Sequence, residues 1–104
     1  MSRADIFAHP LVTAEVKLPN GKTATVRELT AGERGEVIRL FREQKNIAEI
    51  HARIVVMAVT DGGKPVFTEK DVPDLLGLPG RVVQPLADRA LELSAMDGGS
   101  EKKE

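Results

Sequence analysis

Hydrophobic and polar residues alternate strictly over two stretches early in the chain. Val12, Ala14, Val16 and Leu18 fall on one face against Thr13, Glu15 and Lys17, and the pattern returns in Ala24 and Val26 against Thr23, Thr25 and Arg27. Alternation of this kind predicts a pair of half-buried strands. Parity then assigns the turn. A two-residue Asn20-Gly21 loop would set Val16 opposite Thr25, an apolar face over a polar one. A three-residue Pro19-Asn20-Gly21 loop sets Leu18 opposite Lys22, Val16 opposite Ala24 and Ala14 opposite Val26, as a type I turn followed by a left-handed residue. Before the hairpin, Met1 to Pro10 reads as an irregular lead-in, because Pro10 biases His9 away from helix and offers no donor to a sheet.

Beyond Leu29 the period lengthens. Thr30-Ala31-Gly32-Glu33 is a capping-box sequence, and the helix it opens is predicted to reach about Gln44, with Val37, Leu40, Phe41 and Gln44 inward and Ile38 at the edge. Lys45-Asn46 is a short link to the most apolar stretch, Asn46 to Thr60. There Asn46 is an N-cap, Glu49 is placed to complete a capping box, and Glu49 and Arg53 stand at helical pairing distance on an exposed strip. Ile47, Ile50, Ile54, Met57 and Ala58 share a face, and Ala48, Ala52, Val55, Val56 and Val59 widen it almost round the cylinder, which predicts a central helix covered on several sides. Residues 53–67 leave an alternative open, since the β-branched Ile54-Val55-Val56 run before Asp61-Gly62-Gly63 also suits a hairpin.

Thr68 is the next N-cap, with Asp71 facing the free N–H groups, Phe67 and Val72 forming a hydrophobic staple, and Pro73 shortening the helix so that Leu75, Leu76 and Leu78 point inward. The last helix reads Val83, Leu86, Ala87, Ala90, Leu91, Leu93 and Ser94, with Pro85 near its start. Past Met96 the residues 97–104 are charged and Gly-rich and have nothing to bury. The pattern therefore predicts an α+β fold, an N-terminal β-hairpin followed by a small bundle of about four helices. One domain is expected over 1–96, with a flexible charged tail over 97–104.

Composition removes most chemistry. Cys is absent, so a disulfide framework and a Cys-based metal site are excluded, and with no Trp or Tyr and only three Phe an aromatic stacking platform for bases or sugars is not expected. His9 and His51 lack a partner at metal-ligand spacing; His9 reads as a loop residue and His51 as a partly buried structural one. Gly62-Gly63-Lys64 lacks the spacing of a phosphate-binding loop, and Glu69, Asp71 and Asp74 lack the glycine of a calcium loop. No catalytic residue, metal or cofactor is expected. The formal net charge of -1 gives no basic excess for a phosphate backbone, and a basic sector of Arg34, Arg39, Arg42, Lys45 and Arg53 is balanced by Glu33, Glu36, Glu43 and Glu49. A helix-turn-helix reading fails on a central helix that offers Ile, Ala and Val where a groove reader needs polar groups. Neither nucleic acid nor membrane is expected as a partner. With no apolar leader or span in the sequence, the cytoplasm is the expected location.

The order of features carries a resemblance. A strand ending in Leu18-Pro19-Asn20-Gly21-Lys22, a return strand closing in Val26-Arg27-Glu28-Leu29, the apolar run Ile54 to Val59, the segment Asp61 to Thr68 and then short leucine-rich helices resemble the tail assembly chaperones of long-tailed phages and prophages. This resemblance covers roughly Phe7 to Met96. It implies a small non-enzymatic protein of the host cytoplasm, encoded between the tail tube and tape-measure genes. Such a protein binds the long helical tape-measure protein, keeps it soluble and recruits tail tube protein around it, and is absent from the finished virion. Members of that family often also occur as a longer product made by ribosomal frameshifting, and a homo-oligomer is compatible with the resemblance. An apolar groove on a charged exterior meets those needs, and Leu75, Leu76, Leu78, Leu86 and Leu91 are its expected partner-binding residues, because the core is nearly complete without all of them. A phage structural or head–tail connector protein fits the same size and charge but would stay in particles, and a small DNA-binding regulator would bind duplexes in a salt-dependent way.

Overall fold

The computed structural model of the protein describes residues 1–96, so the charged tail expected over 97–104 lies outside the described residues. Strands β1 (Thr13–Lys17) and β2 (Thr23–Arg27) pair antiparallel with Ala14 opposite Val26 and Val16 opposite Ala24, the register that parity requires. The Leu18 N–H donates to the Lys22 carbonyl at 2.7 Å, the Gly21 N–H donates to the Leu18 carbonyl at 2.9 Å, and Gly21 takes φ 87°. Only glycine adopts that conformation without strain, which fixes the bulge and hence which side chains reach the core.

The lead-in is not irregular. Arg3–Phe7 forms a short helix, α1, because Ser2 and Asp5 cap each other's backbone reciprocally. None of its residues is buried, and besides the cap the Arg3 guanidinium lies 4.6 Å over the Phe7 ring. His9 lies in the loop just past this helix, as expected, its Nδ1 3.0 Å from the Ile6 carbonyl oxygen.

The next helix, α2 (Ala31–Arg42), starts at the predicted Thr30–Glu33 capping box. It stops before Gln44, which turns left-handed at φ 56° while Lys45 N–H reaches back to the Leu40 carbonyl at 3.2 Å. This Schellman-type ending removes Gln44 from the helical face, and Phe41 is 46% exposed, so only Val37 and Leu40 of the expected inner face are buried.

Helix α3 (Ile47–Ala58) is the central element and packs against α5, α4 and α2. Asn46 caps it through Ala48 N–H, but Glu49 does not complete the box; its carboxylate pairs with Arg53 instead. Ile50, Ala52, Ile54, Val55 and Ala58 are buried, whereas Ile47 is 53% exposed. Both readings of 53–67 hold, each for part of the segment. The helix continues through Ala58, and β3 (Val59–Asp61) then folds onto β4 (Lys64–Pro65) while Val59 pairs with Val26, extending the hairpin into a sheet of order β1-β2-β3-β4.

Thr68 and Asp71 cap each other at a 3-10 turn, Glu69–Asp71, which runs into α4 (Val72–Leu76) with Pro73 in its first turn. Leu75 points inward as expected; Leu76 and Leu78 do not, at 47% and 45% exposure, because the single turn of α4 offers one buried side and Leu75 with Val72 occupies it. The last helix, α5 (Gly80–Leu93), begins earlier than predicted, so Pro85 lies inside it. An interior proline leaves the carbonyl four residues back without its donor, and Arg81, which carries it, is exposed to solvent. Helix α5 lies across β1 and β2 and against α3, contributing Val83, Leu86, Ala87 and Ala90 to the core.

Ser94, 8% exposed, closes this arrangement: its Oγ accepts from Leu29 N–H at 2.8 Å and donates to the Ala90 carbonyl at 2.7 Å. It thereby ties the exit of the hairpin to the end of the last helix. Arg27 makes a second tie, donating through both terminal nitrogens to the Glu33 carboxylate at 2.8 Å each.

Candidate functional site

The described residues hold no constellation that suggests catalysis. Among them no group of three metal-ligating side chains converges, and no buried side-chain nitrogen or oxygen lacks a partner. No helix among them is long and apolar enough to cross a membrane. Two members of the basic sector are paired: Arg39 bonds Glu36 and Glu43, and Arg53 bonds Glu49 at 3.1 Å and Glu69 at 2.6 Å. Hydrogen bonding to Arg39 pulls the Glu36 carboxyl below its ordinary value, and hydrogen bonding to Arg27 does the same to Glu33. In return Arg27 is held more firmly protonated, first by that hydrogen bond. The Arg39 and Arg53 networks lie on the solvated surface, and the Arg27–Glu33 pair is partly buried.

What the surface does offer is apolar. Three hollows adjoin along the helical side of the molecule. The first, about 400 Å³, lies between the sheet and the α4–α5 segment, lined by Leu18, Ala24, Val59, Phe67, Leu78 and Leu86 among others. The second, about 330 Å³, lies where the start of α3 meets α4 and α5, with Ile47, His51, Leu76 and Leu78 in its walls. The third, about 440 Å³, is bounded by Phe41, Ile47, His51, Leu91 and Met96. Leu75, Leu78 and Val83 separate the first two, while Ile47 and His51 separate the second from the third, so the lining is continuous. Val66, Leu78, Leu76, Ile47 and Phe41, each between 45% and 53% exposed, mark its course. These half-exposed apolar side chains form one continuous face along the three hollows. At its far end Met96 N–H bonds the Leu91 carbonyl at 2.8 Å across the left-handed Ala95, so a helix ending builds that wall.

Comparison with known proteins adds the fold. No protein-family model matches the sequence, and no curated protein matches it in sequence. Among solved structures, that of the bacteriophage HK97 tail assembly chaperone matches with a TM-score of 0.64, covering 86% of this chain and 90% of the other at 17% sequence identity. The fold is similar to that of the HK97 tail assembly chaperone. At that identity the likeness to the HK97 chaperone is one of backbone, and the face must be argued from this chain's own side chains.

Each of the five leucines expected to bind a partner lines one of the hollows, though they differ in what they expose. Leu75 and Leu86 are buried and form the floor, at 4% and 6% exposure; Leu91 is half-buried; Leu76 and Leu78 stand at the rim. Sequence reasoning missed Phe41, Ile47 and Val66. The first two were assigned to the core by helical spacing, and the signal against that lay in the link between them: with Gln44 left-handed, α2 and α3 turn so sharply that Phe41 and Ile47 open outward together beside the third hollow.

Proposed function

We propose that the chain is a tail assembly chaperone of a long-tailed phage or prophage, working in the host cytoplasm without catalysis. In this reading it binds the tape-measure protein along the continuous apolar face and promotes assembly of the tail tube protein around it. The similarity of fold to the HK97 tail assembly chaperone carries the reading, and the apolar face supplies a physical means. A tape measure is an extended helical chain with apolar stripes, and a helix lays such a stripe into a groove as anchors three and four residues apart. Leu78 and Leu76 at the rim, over a floor of Leu75 and Leu86, suit that kind of anchor. The charged networks on α2 and α3 keep the remainder of the surface in solution.

Co-expression with the tape-measure protein of the same phage genome, followed by size-exclusion chromatography with light scattering, tests the proposal. A soluble tape measure that co-elutes with several copies of this chain is the expected result. A tape measure that precipitates while this chain elutes alone overturns it. Leu78→Asp abolishes the rescue while the variant itself stays folded; loss of the fold in that variant refutes the placement of the site.

A further inference from the structure

Helix α2 divides its charges between two sides. At about 3.6 residues per turn, with Val37 and Leu40 facing the core, Glu36, Arg39 and Glu43 fall to one side of them. There Arg39 bonds both carboxylates. To the other side come Phe41, Arg34, Ile38 and Arg42 in that order, arginines interleaved with apolar side chains and no carboxylate among them. All four are exposed, Ile38 at 40% and Phe41 at 46%.

Among the described residues neither Arg34 nor Arg42 has a carboxylate within ion-pair distance, and the exposed Lys45 in the following link has none either. The acids around the start of the helix are engaged elsewhere: Glu28 accepts from Val12 N–H at 2.7 Å, and Glu33 pairs with Arg27 at 2.8 Å. Phe41 belongs to the wall of the third hollow, so this side of α2 continues the apolar face. Across that hollow stand Asp88 and Glu92, the latter paired with Arg89 at 2.8 Å. Uncompensated positive charge therefore borders the apolar face on its α2 side, and acidic groups border it on its α5 side.

We propose that this side of α2 docks an acidic amphipathic helix of the tape-measure protein, an inference that rests on the chaperone reading. Arg34 and Arg42 lie two turns apart, about 12 Å along the axis, with Ile38 one turn from each. A helix laid alongside meets that spacing with two carboxylates two turns apart and an apolar residue between them. Its apolar stripe crosses Ile38 and Phe41 and enters the third hollow. Asp88 on the opposite wall repels a second acidic row, so the two walls together set which way round the bound helix lies. A nucleic-acid backbone fits this surface poorly, because Ile38 and Phe41 among the cations offer a polyanion no partner.

Fluorescence anisotropy of the full chain with two labelled synthetic helical peptides tests the proposal. Both peptides carry the same leucine stripe; beside it one has glutamates two turns apart and the other has lysines. The wild type binds the glutamate peptide roughly tenfold more tightly, and about 0.5 M salt closes that gap. Combining Arg34→Glu with Arg42→Glu reverses the preference, and combining Arg34→Gln with Arg42→Gln abolishes it, while thermal melts show both exposed pairs of substitutions leaving the fold intact. In co-expression the double reversal loses the solubilisation of the tape measure that the wild type provides. A tape measure that precipitates even with the wild type fails the chaperone reading and this assignment with it. Peptides that bind alike or not at all, or a tape measure rescued equally by wild type and double reversal, leave that reading standing and overturn this one. So does a double reversal that changes only self-association or duplex DNA binding, which gives the surface to a second copy or to a phosphate backbone.

Discussion

Replacing Ser94 with alanine deletes one oxygen from the point where the hairpin exit meets the last helix. Leu29 N–H then loses its acceptor at 2.8 Å in a place where Leu29 is 4% exposed and Ser94 is 8% exposed, leaving water little access. The Ala90 carbonyl is less affected, since it also accepts from Ser94 N–H at 3.1 Å, a backbone bond that alanine keeps. The dominant cost is thus one buried, unsatisfied backbone donor, about 2 kcal/mol within a usual range of about 1 to 3. For a domain near this size the melting temperature falls by roughly 4 to 8 °C per kcal/mol, so a drop of about 8 to 16 °C is expected. Urea unfolding followed by circular dichroism shows the midpoint lowered by about 1 M with an unchanged slope. Ser2→Ala serves as the comparison: it removes the same group from a cap on α1, a helix that buries nothing, and changes global stability by less than about 0.5 kcal/mol. A Ser94→Ala variant that unfolds within about 0.5 kcal/mol of the wild type refutes the assignment of Ser94 as the tie between the two ends of the fold.

The remaining predictions concern the site, pH and backbone. Leu75→Asp at the buried floor unfolds the protein, whereas Leu76→Asp at the rim shifts stability by about 0.5 kcal/mol or less while weakening tape-measure binding, as pull-down and thermal melts on both variants read out. The Glu33 carboxyl, held below the ordinary carboxylate value first by its hydrogen bond to Arg27, contributes stability that is present above that ordinary value and is lost as pH falls through the depressed one. Glu33→Gln accordingly flattens the acid limb of the urea midpoint as pH falls below the ordinary carboxylate value; an unchanged acid limb contradicts the role given to this pair. Gly21→Ala costs about 1 kcal/mol because its φ of 87° strains any side chain, while Gly35→Ala in α2, where an added methyl meets nothing within 4 Å, stabilises by roughly as much; melting curves that move the same way for both refute the distinction.

Local patterns foretold what local forces decide. The hairpin register followed from parity because a strand repeats every second residue and a slip by one would have put Thr25 where Ala24 belongs. The caps at Thr30, Asn46 and Thr68 were legible because each bonds a backbone group two or three residues away. What the chain could not state in local terms was which apolar side chain would find cover. Leu76 and Leu78 look as suited to a core as Leu75, and Phe41 as suited as Leu40, until α4 shows only one side to α3 and the α2–α3 link turns at Gln44. The same holds for Val59, whose β-branched neighbours fit either helix or strand; pairing with Val26, far away in sequence, made it a strand. Sequence by itself thus determined the first hairpin and its register, the capped starts of α2 and α3, and the absence of thiol chemistry. Tertiary structure alone decided the fourfold sheet, the Leu29–Ser94 tie and the exposed apolar face, because each depends on surfaces brought together from opposite parts of the chain.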